Sequence, residues 1–351
     1  MSSPAAQLAL AAALGLVGGA VASWLRVPLA WMLGPLFLCG AAAIAGVPLR
    51  PVPWGREIGQ AAVGLAIGLR FTPPVLIATA ALLPAMVVAT IYVVAVTTAA
   101  AFLMRRLGGV DHKTAFFATA AAGMADMATV ARERGGDPSA VAVVHAIRVA
   151  AVVFVVPLIV FAVGETGTVL TPDAVATTNW PVLVLLMALG TGAALILRPL
   201  PVPNPWLIGP ILVGMATSAF TGLSTAVPNL VVVLAQLLIG IALGTRFQRK
   251  LLLSLPRVVA AALAVAAVLI AAAAGGGAVL SLATGLPFAT SFLAVAPAGV
   301  TEMVLTAKVM QLDTASVTAF HVMRIGVIAA TILLTFGLYE RVVRRIHGSR
   351  V

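Results

Sequence analysis

The side chains able to do chemistry in this 351-residue chain are few, and they occur twice. Asp126, His145 and Arg148 follow Gly123; Glu302, His321 and Arg324 follow Gly299, at a constant offset of 176 residues. An acid can take up a proton or a small cation, and an imidazole can accept or relay protons. A guanidinium can hold a carboxylate in two parallel hydrogen bonds. We therefore take Arg148, Arg324, His145 and His321 as candidate substrate-binding residues. Asp126 and Glu302, with Gly123 and Gly299 beside them, are the candidate residues for a coupled cation. Neither histidine has the i, i+4 partners of a strong zinc site, and Cys39 is a lone thiol. No metal, cofactor or catalytic residue is expected, and the chain does not read as an enzyme.

Two kinds of element must position these groups. Positions 137, 141, 145 and 148 are spaced by 4, 4 and 3, so they share one helix face; Asp313, Val317, His321 and Arg324 repeat the pattern. Asp137-Pro138 reads as an N-cap followed by proline at the first helical position, with Asp313 in the equivalent place. Arg148 then lies about 16 Å beyond its cap, near the middle of a bilayer. The second element is a hairpin from Lys113 to Arg134 whose apex falls near Gly123 to Asp126. Gly123, and Ala296-Pro297-Ala298-Gly299 in the other half, should break the helix and free backbone groups able to hold an ion. Asp126 is expected to meet Arg148 or its counterpart Arg324 at that depth, and Glu302 to do the same from the other side. The plainer alternative makes these pairs salt bridges that pin the hairpins, and makes the histidines hydrogen-bonded members of a helix bundle.

The surroundings are those of a membrane protein. Mean hydropathy is +1.15, with 62% of residues hydrophobic and 9% charged. Apolar segments are read at 7–25, 29–46, 56–71, 74–104, 113–134 and 138–163, and again at 181–198, 205–221, 229–247, 257–283, 287–310 and 314–340. The offset also carries Gln60, Gly64, Gly68, Arg70 and Phe71 onto Gln236, Gly240, Gly244, Arg246 and Phe247. This small-residue stripe points to close helix packing. We divide the chain into a first membrane repeat (1–163), a linker (164–179) and a second membrane repeat (180–351).

Loop charge sets the orientation of the repeats. Arg105, Arg106 and Lys113 have no charged equivalent between Thr284 and Thr290, while Arg246, Arg249, Lys250 and Arg257 face only Arg70 in the first half. Glu165 and Asp173 end the first half; Arg341, Arg344, Arg345 and Arg350 end the second. Equivalent loops on opposite sides require an odd number of crossings per half. The expected fold is an all-α integral membrane protein: an inverted repeat of two five-helix halves, each with one re-entrant or broken segment, giving about ten crossings. Placed in a bacterial inner membrane with both termini cytoplasmic, this puts every basic cluster inside, Arg26 excepted. The partners expected are the lipid bilayer, a small and possibly anionic substrate, and H⁺ or Na⁺. A homodimer is compatible with the same features.

These motifs resemble the bacterial AbrB-duplication membrane proteins over nearly the whole chain. The resemblance rests on Trp-x-x-Gly-Pro (31–35 and 206–210), on Gln-x3-Gly-x3-Gly-x-Arg-Phe, and on Ala-Gly-x-x-(Asp/Glu)-Met with the following Asp-x3-Val-x3-His-x2-Arg, each present twice. The family often has Pro-Gly-Gly before the acid, from which Ala121-Ala122-Gly123 and Pro297-Ala298-Gly299 depart. Its members carry one of two labels, regulator of gene expression or ammonia monooxygenase. Four scattered histidines and one cysteine do not supply a copper or iron centre, and no loop is long enough to read DNA directly. The function expected is secondary transport of a small organic anion with H⁺ or Na⁺. A membrane-embedded ligand sensor with an indirect effect on gene expression is the alternative, and a membrane oxidoreductase ranks below both.

Overall fold

The computed structural model describes residues 3–164, 178–200, 202, 204–221 and 225–347. Most of the linker, with Glu165 and Asp173, and Arg350 lie outside the described residues. Every regular element among the described residues is a helix. The first half runs α1 (Pro4–Trp24), α2 (Ala30–Ile44), α3 (Gly55–Gly68), α4 (Pro73–Ala81), α5 (Leu83–Gly108), α6 (His112–Thr119), α7 (Met124–Glu133) and α8 (Pro138–Val163). The second runs α9 (Trp180–Leu197), α10 (Pro205–Phe220), α11 (Asn229–Gly244), α12 (Arg249–Ser254), α13 (Pro256–Thr284), α14 (Phe288–Val295), α15 (Val300–Val309) and α16 (Thr314–His347).

Among the described residues, six helices are long and apolar enough to cross a membrane: α1, α5 and α8, and their repeat equivalents α9, α13 and α16. Three others, α2, α10 and α11, are shorter and apolar. At 15 residues α2 rises about 22 Å, less than the roughly 30 Å of hydrocarbon. Exposed Trp24, Phe220 and Leu282 (81%, 85% and 88%) are surfaces suited to lipid rather than water.

One boundary differs from the sequence reading. The segment read as one helix over 74–104 is two, since α4 ends at Ala81 and α5 starts at Leu83. Pro73 and Pro74 cannot continue α3 but suit the start of α4, and the chain bends by 93° between α3 and α4. The segments read over 113–134 and 287–310 are each broken near the middle, at residues 120–123 and 296–299.

The chain forms two compact units that cut across the sequence repeats. One comprises residues 1–83, 157–249 and 301–318; the other comprises 84–156, 250–300 and 319–351. Each draws equivalent elements from both halves. In the first unit the glycine stripes pack reciprocally. A Cβ on Gly64 or Gly68 of α3 would strike the Leu207 or Ile211 carbonyl of α10; one on Gly240 or Gly244 of α11 would strike the Met32 or Leu36 carbonyl of α2. Each half thus lays its stripe on the other half's Trp-x-x-Gly-Pro helix, as expected of small residues that let backbones approach.

The second unit holds both helix breaks. Phe116 of α6 stacks against Phe336 and Tyr339 of α16, and Phe117 against Phe336, with ring centroids 4.9–5.3 Å apart. The Tyr92 hydroxyl on α5 donates to the Ala272 carbonyl on α13 at 2.7 Å.

Candidate functional site

The first break is built by α6, α7 and α8. Asp111 caps α6, accepting from the Lys113 and Thr114 amides at 2.8 and 2.9 Å. The Thr114 hydroxyl donates to Asp111 Oδ2 at 2.6 Å and accepts from the Asp137 amide at 2.8 Å. That second bond joins the start of α6 to the exit of α7, so the two arms form a hairpin. Asp137 also caps α8 through the Ser139 amide at 2.8 Å, and Asp313 caps α16 through the Ala315 and Ser316 amides. Both aspartates are structural, as their positions before the helices imply.

From this start α8 runs beside α6 toward the break. His145 Nε2 lies 2.9 Å from the Phe117 carbonyl, and Arg148 Nη1 donates to the Thr119 and Ala120 carbonyls at 2.9 and 2.8 Å. The second half repeats the arrangement. His321 Nε2 is 2.9 Å from the Leu293 carbonyl, and Arg324 donates to the Ala296 and Ala298 carbonyls at 2.7 and 2.8 Å. Each arginine thereby closes carbonyls that the break frees at the end of a half-helix, where a cation also complements the helix dipole.

These contacts fix the histidine tautomers. A carbonyl only accepts, so Nε2 must carry the proton; a guanidinium only donates, so Nδ1 must be bare. Nδ1 accordingly faces Arg148 Nη2 at 3.3 Å and Arg324 Nη2 at 2.8 Å. Both ring nitrogens are occupied, leaving no lone pair for a travelling proton. His145 and His321 orient the arginines.

Arg148 does not pair with Asp126. Arg148 bonds carbonyls and His145, and its hydrogen bonds and ion pairs include none with Asp126. Arg148 and Arg324 are 4% and 3% exposed, and the Nε–H of each is buried without a partner. The charge of Arg148 is felt at Arg324. Thr97 of α5 lies between the two breaks: it lines one cavity with Ala120 and Ala121, and another with Val295 and Pro297.

Asp126 is the third residue of α7 and is exposed. Its Oδ2 lies 2.6 Å from where a Cβ would stand on Gly123, the N-cap of α7, so this glycine keeps room for the carboxylate. Glu302 is the third residue of α15 and is 3% exposed. In its unit Glu302 acts electrostatically on Arg246, which also feels Arg56 and Glu57. One residue before it, the Thr301 hydroxyl accepts from Gln60 Nε2 at 3.2 Å.

Three participants escaped the sequence reading. Arg246 was taken as loop charge, yet it interacts electrostatically with Glu302; its membership of a repeated motif was the available signal. Thr97 has no repeated counterpart, since Ala273 stands at the equivalent position. His112 opens α6 with Nε2 3.8 Å from Glu340, which Arg344 also approaches at 3.3 Å. No cluster of three or more His, Cys, Asp or Glu side chains suited to a metal ion occurs among the described residues.

The fold and site define a class: a helical, membrane-type protein with an internal duplication, in which each half presents a broken helix closed by a buried arginine. The chain belongs to the AbrB family, whose profile, described as "Transition state regulatory protein AbrB", matches residues 31–340. It is 26% identical to "Uncharacterized protein YhjN" of Bacillus subtilis (strain 168), over 96% of this chain and 93% of that protein. It is 27% identical to "Putative regulator AbrB" of Escherichia coli (strain K12), over 43% of this chain and 44% of that one.

Proposed function

We propose that this protein is a secondary transporter that moves a small organic anion with H⁺ or Na⁺ across the bacterial inner membrane. It acts as a carrier and not as an enzyme. One observation carries the reading: two guanidiniums, each nearly fully buried, end at helix breaks on carbonyls and a histidine, and among the described residues the Nε–H of each has no partner. A charge at membrane depth costs several kcal/mol, and a neutral carbonyl solvates it without cancelling it. An anionic substrate supplies the missing charge. Asp126 and Glu302, each one turn into the half-helix after a break, are the groups that take up the coupled cation beside Gly123 and Gly299.

In this reading the repeats are inverted, with about ten crossings and both termini cytoplasmic. Support comes from the opposite loop charges and from the α6–α7 hairpin, whose ends meet as those of a re-entrant segment would. Uptake into proteoliposomes under an imposed H⁺ or Na⁺ gradient tests the function. Accumulation that follows one gradient and is lost in Arg324→Gln is the expected result. Binding without flux would sink the carrier.

That outcome is the one a second reading expects. The family description and the Escherichia coli relative both speak of regulation. A ligand sensor would use the same arginines to bind an anion and would alter gene expression indirectly.

A further inference from the structure

We infer that the ligand of this site is a dianion carrying its two charges on separate groups, a dicarboxylate, with one carboxylate taken by Arg148 and the other by Arg324. The inference rests on the anion reading above and goes beyond it by counting charge.

Each break joins the end of one half-helix to the start of the next. The outgoing carbonyl end carries about half a negative charge and the incoming amide end about half a positive one. To first order these cancel. With Asp126 and Glu302 each occupied by the coupled cation, what remains at each break is the arginine, so the unit holds two whole buried positive charges, one at each break. As like charges they oppose one another. A monoanion would offset one and leave the other.

The geometry separates the two charges of the ligand. Arg148 is tied to the Thr119 and Ala120 carbonyls, and Arg324 to the Ala296 and Ala298 carbonyls. Neither guanidinium can swing toward the other without abandoning its own break. Thr97 stands between the breaks and touches the cavities beside both. Two anionic groups on a short spacer fit this layout better than two charges on one compact centre. Each guanidinium still holds the donor such a group needs, the unpartnered Nε–H, buried in both repeats. The incoming end of α7 offers amides as well: Gly123, its N-cap, provides no side-chain cap.

The test is binding to the purified full-length protein, by thermal stabilisation and titration calorimetry. The probes are malonate, succinate and glutarate against butyrate, with inorganic phosphate as the compact dianion and 1,4-diaminobutane as the charge-reversed control. At least one dicarboxylate should bind tenfold or more tightly than butyrate and phosphate. Arg148→Gln and Arg324→Gln should each reduce it to the butyrate level. If butyrate matches all three dicarboxylates, or none of them binds at millimolar concentration, the dianion is overturned. Butyrate binding that still falls in the arginine variants would leave the anion reading standing. Phosphate equal to the best dicarboxylate overturns the two separate groups alone, and preference for the diamine overturns both readings. Should the glutamine variants fail to fold, the ranking of probes on the unaltered protein decides.

Discussion

The two helix breaks share their chemistry and differ in their surroundings. In both, a histidine one turn before an arginine bonds a carbonyl 28 residues upstream, at 2.9 Å in each case. In both, the arginine closes two carbonyls of the break. The acids that follow part company. Asp126 is exposed on a helix that stays in the unit of its break, whereas Glu302 is buried on a helix assigned to the other unit. The difference teaches that duplication kept the arginine caps alike and let the acids specialise. The buried acid also acts electrostatically on Arg246.

This comparison breaks or holds most sharply at the acids. Glu302→Gln should abolish gradient-driven uptake, by at least tenfold, while Asp126→Asn should retain a measurable part of it. Arg246→Gln should act in the same direction as Glu302→Gln, because the two side chains act on each other electrostatically. Equal losses from the two acid variants would mean that burial does not distinguish their roles.

The arginines come next in size. Lysine keeps the charge but not the fork, so Arg148→Lys and Arg324→Lys should each orphan at least one buried carbonyl, at about 1–3 kcal/mol per group. Thermal unfolding in detergent should show the larger loss for Arg324, whose histidine contact is 2.8 Å against 3.3 Å for Arg148. Unchanged midpoints in both would remove the arginines as caps of the breaks.

Much of this was legible in the sequence, because the repeat marks the residues that matter in pairs. The 4, 4, 3 spacing from Asp137 put His145 and Arg148 on the face that meets the hairpin, and Gly123 and Pro297-Ala298-Gly299 marked the breaks. The bonding partners were not legible. An arginine at membrane depth suggests a carboxylate by charge alone, and the free carbonyls of Thr119, Ala120, Ala296 and Ala298 exist only once the helix has broken. The tie between Glu302 and Arg246 joins residues far apart in the chain, and no helical period reports it. The compact units were hidden for a like reason: glycines 64, 68, 240 and 244 announce close packing but not that each stripe lies on the opposite repeat.

Those stripes supply the symmetric control for the asymmetric breaks. Gly64→Ala and Gly240→Ala would each place a methyl group against a backbone carbonyl of the facing helix, Leu207 or Met32. Backbone yields less readily than a side chain, so overpacking should cost about 1–3 kcal/mol in each. The two losses should agree within roughly 0.5 kcal/mol, the usual scatter for independent sites. A twofold disparity in the denaturation free energies would show that the repeats are unlike throughout and not only at the acids.

The smallest effect tests whether the two breaks share one backbone. Pro297 lies in the second break, and Ala121 occupies the equivalent position in the first. The residue before a proline is held to extended backbone. Ala296 meets this with φ −59 and ψ 133, and Ala120 already has nearly the same angles, φ −52 and ψ 136, with no proline to impose them. The first break thus holds by hydrogen bonding a conformation that the second also holds by covalent restriction. Ala121→Pro should therefore be accommodated, and should stabilise the protein by about 0.4–1 kcal/mol by narrowing the unfolded ensemble. Pro297→Ala should lose a similar amount. Matched shifts of opposite sign in the unfolding midpoint would confirm a common backbone beneath the different acids. Destabilisation by Ala121→Pro would mean that the first break needs the Ala121 N–H or a φ outside the proline range, and that the breaks differ in backbone as well as in burial.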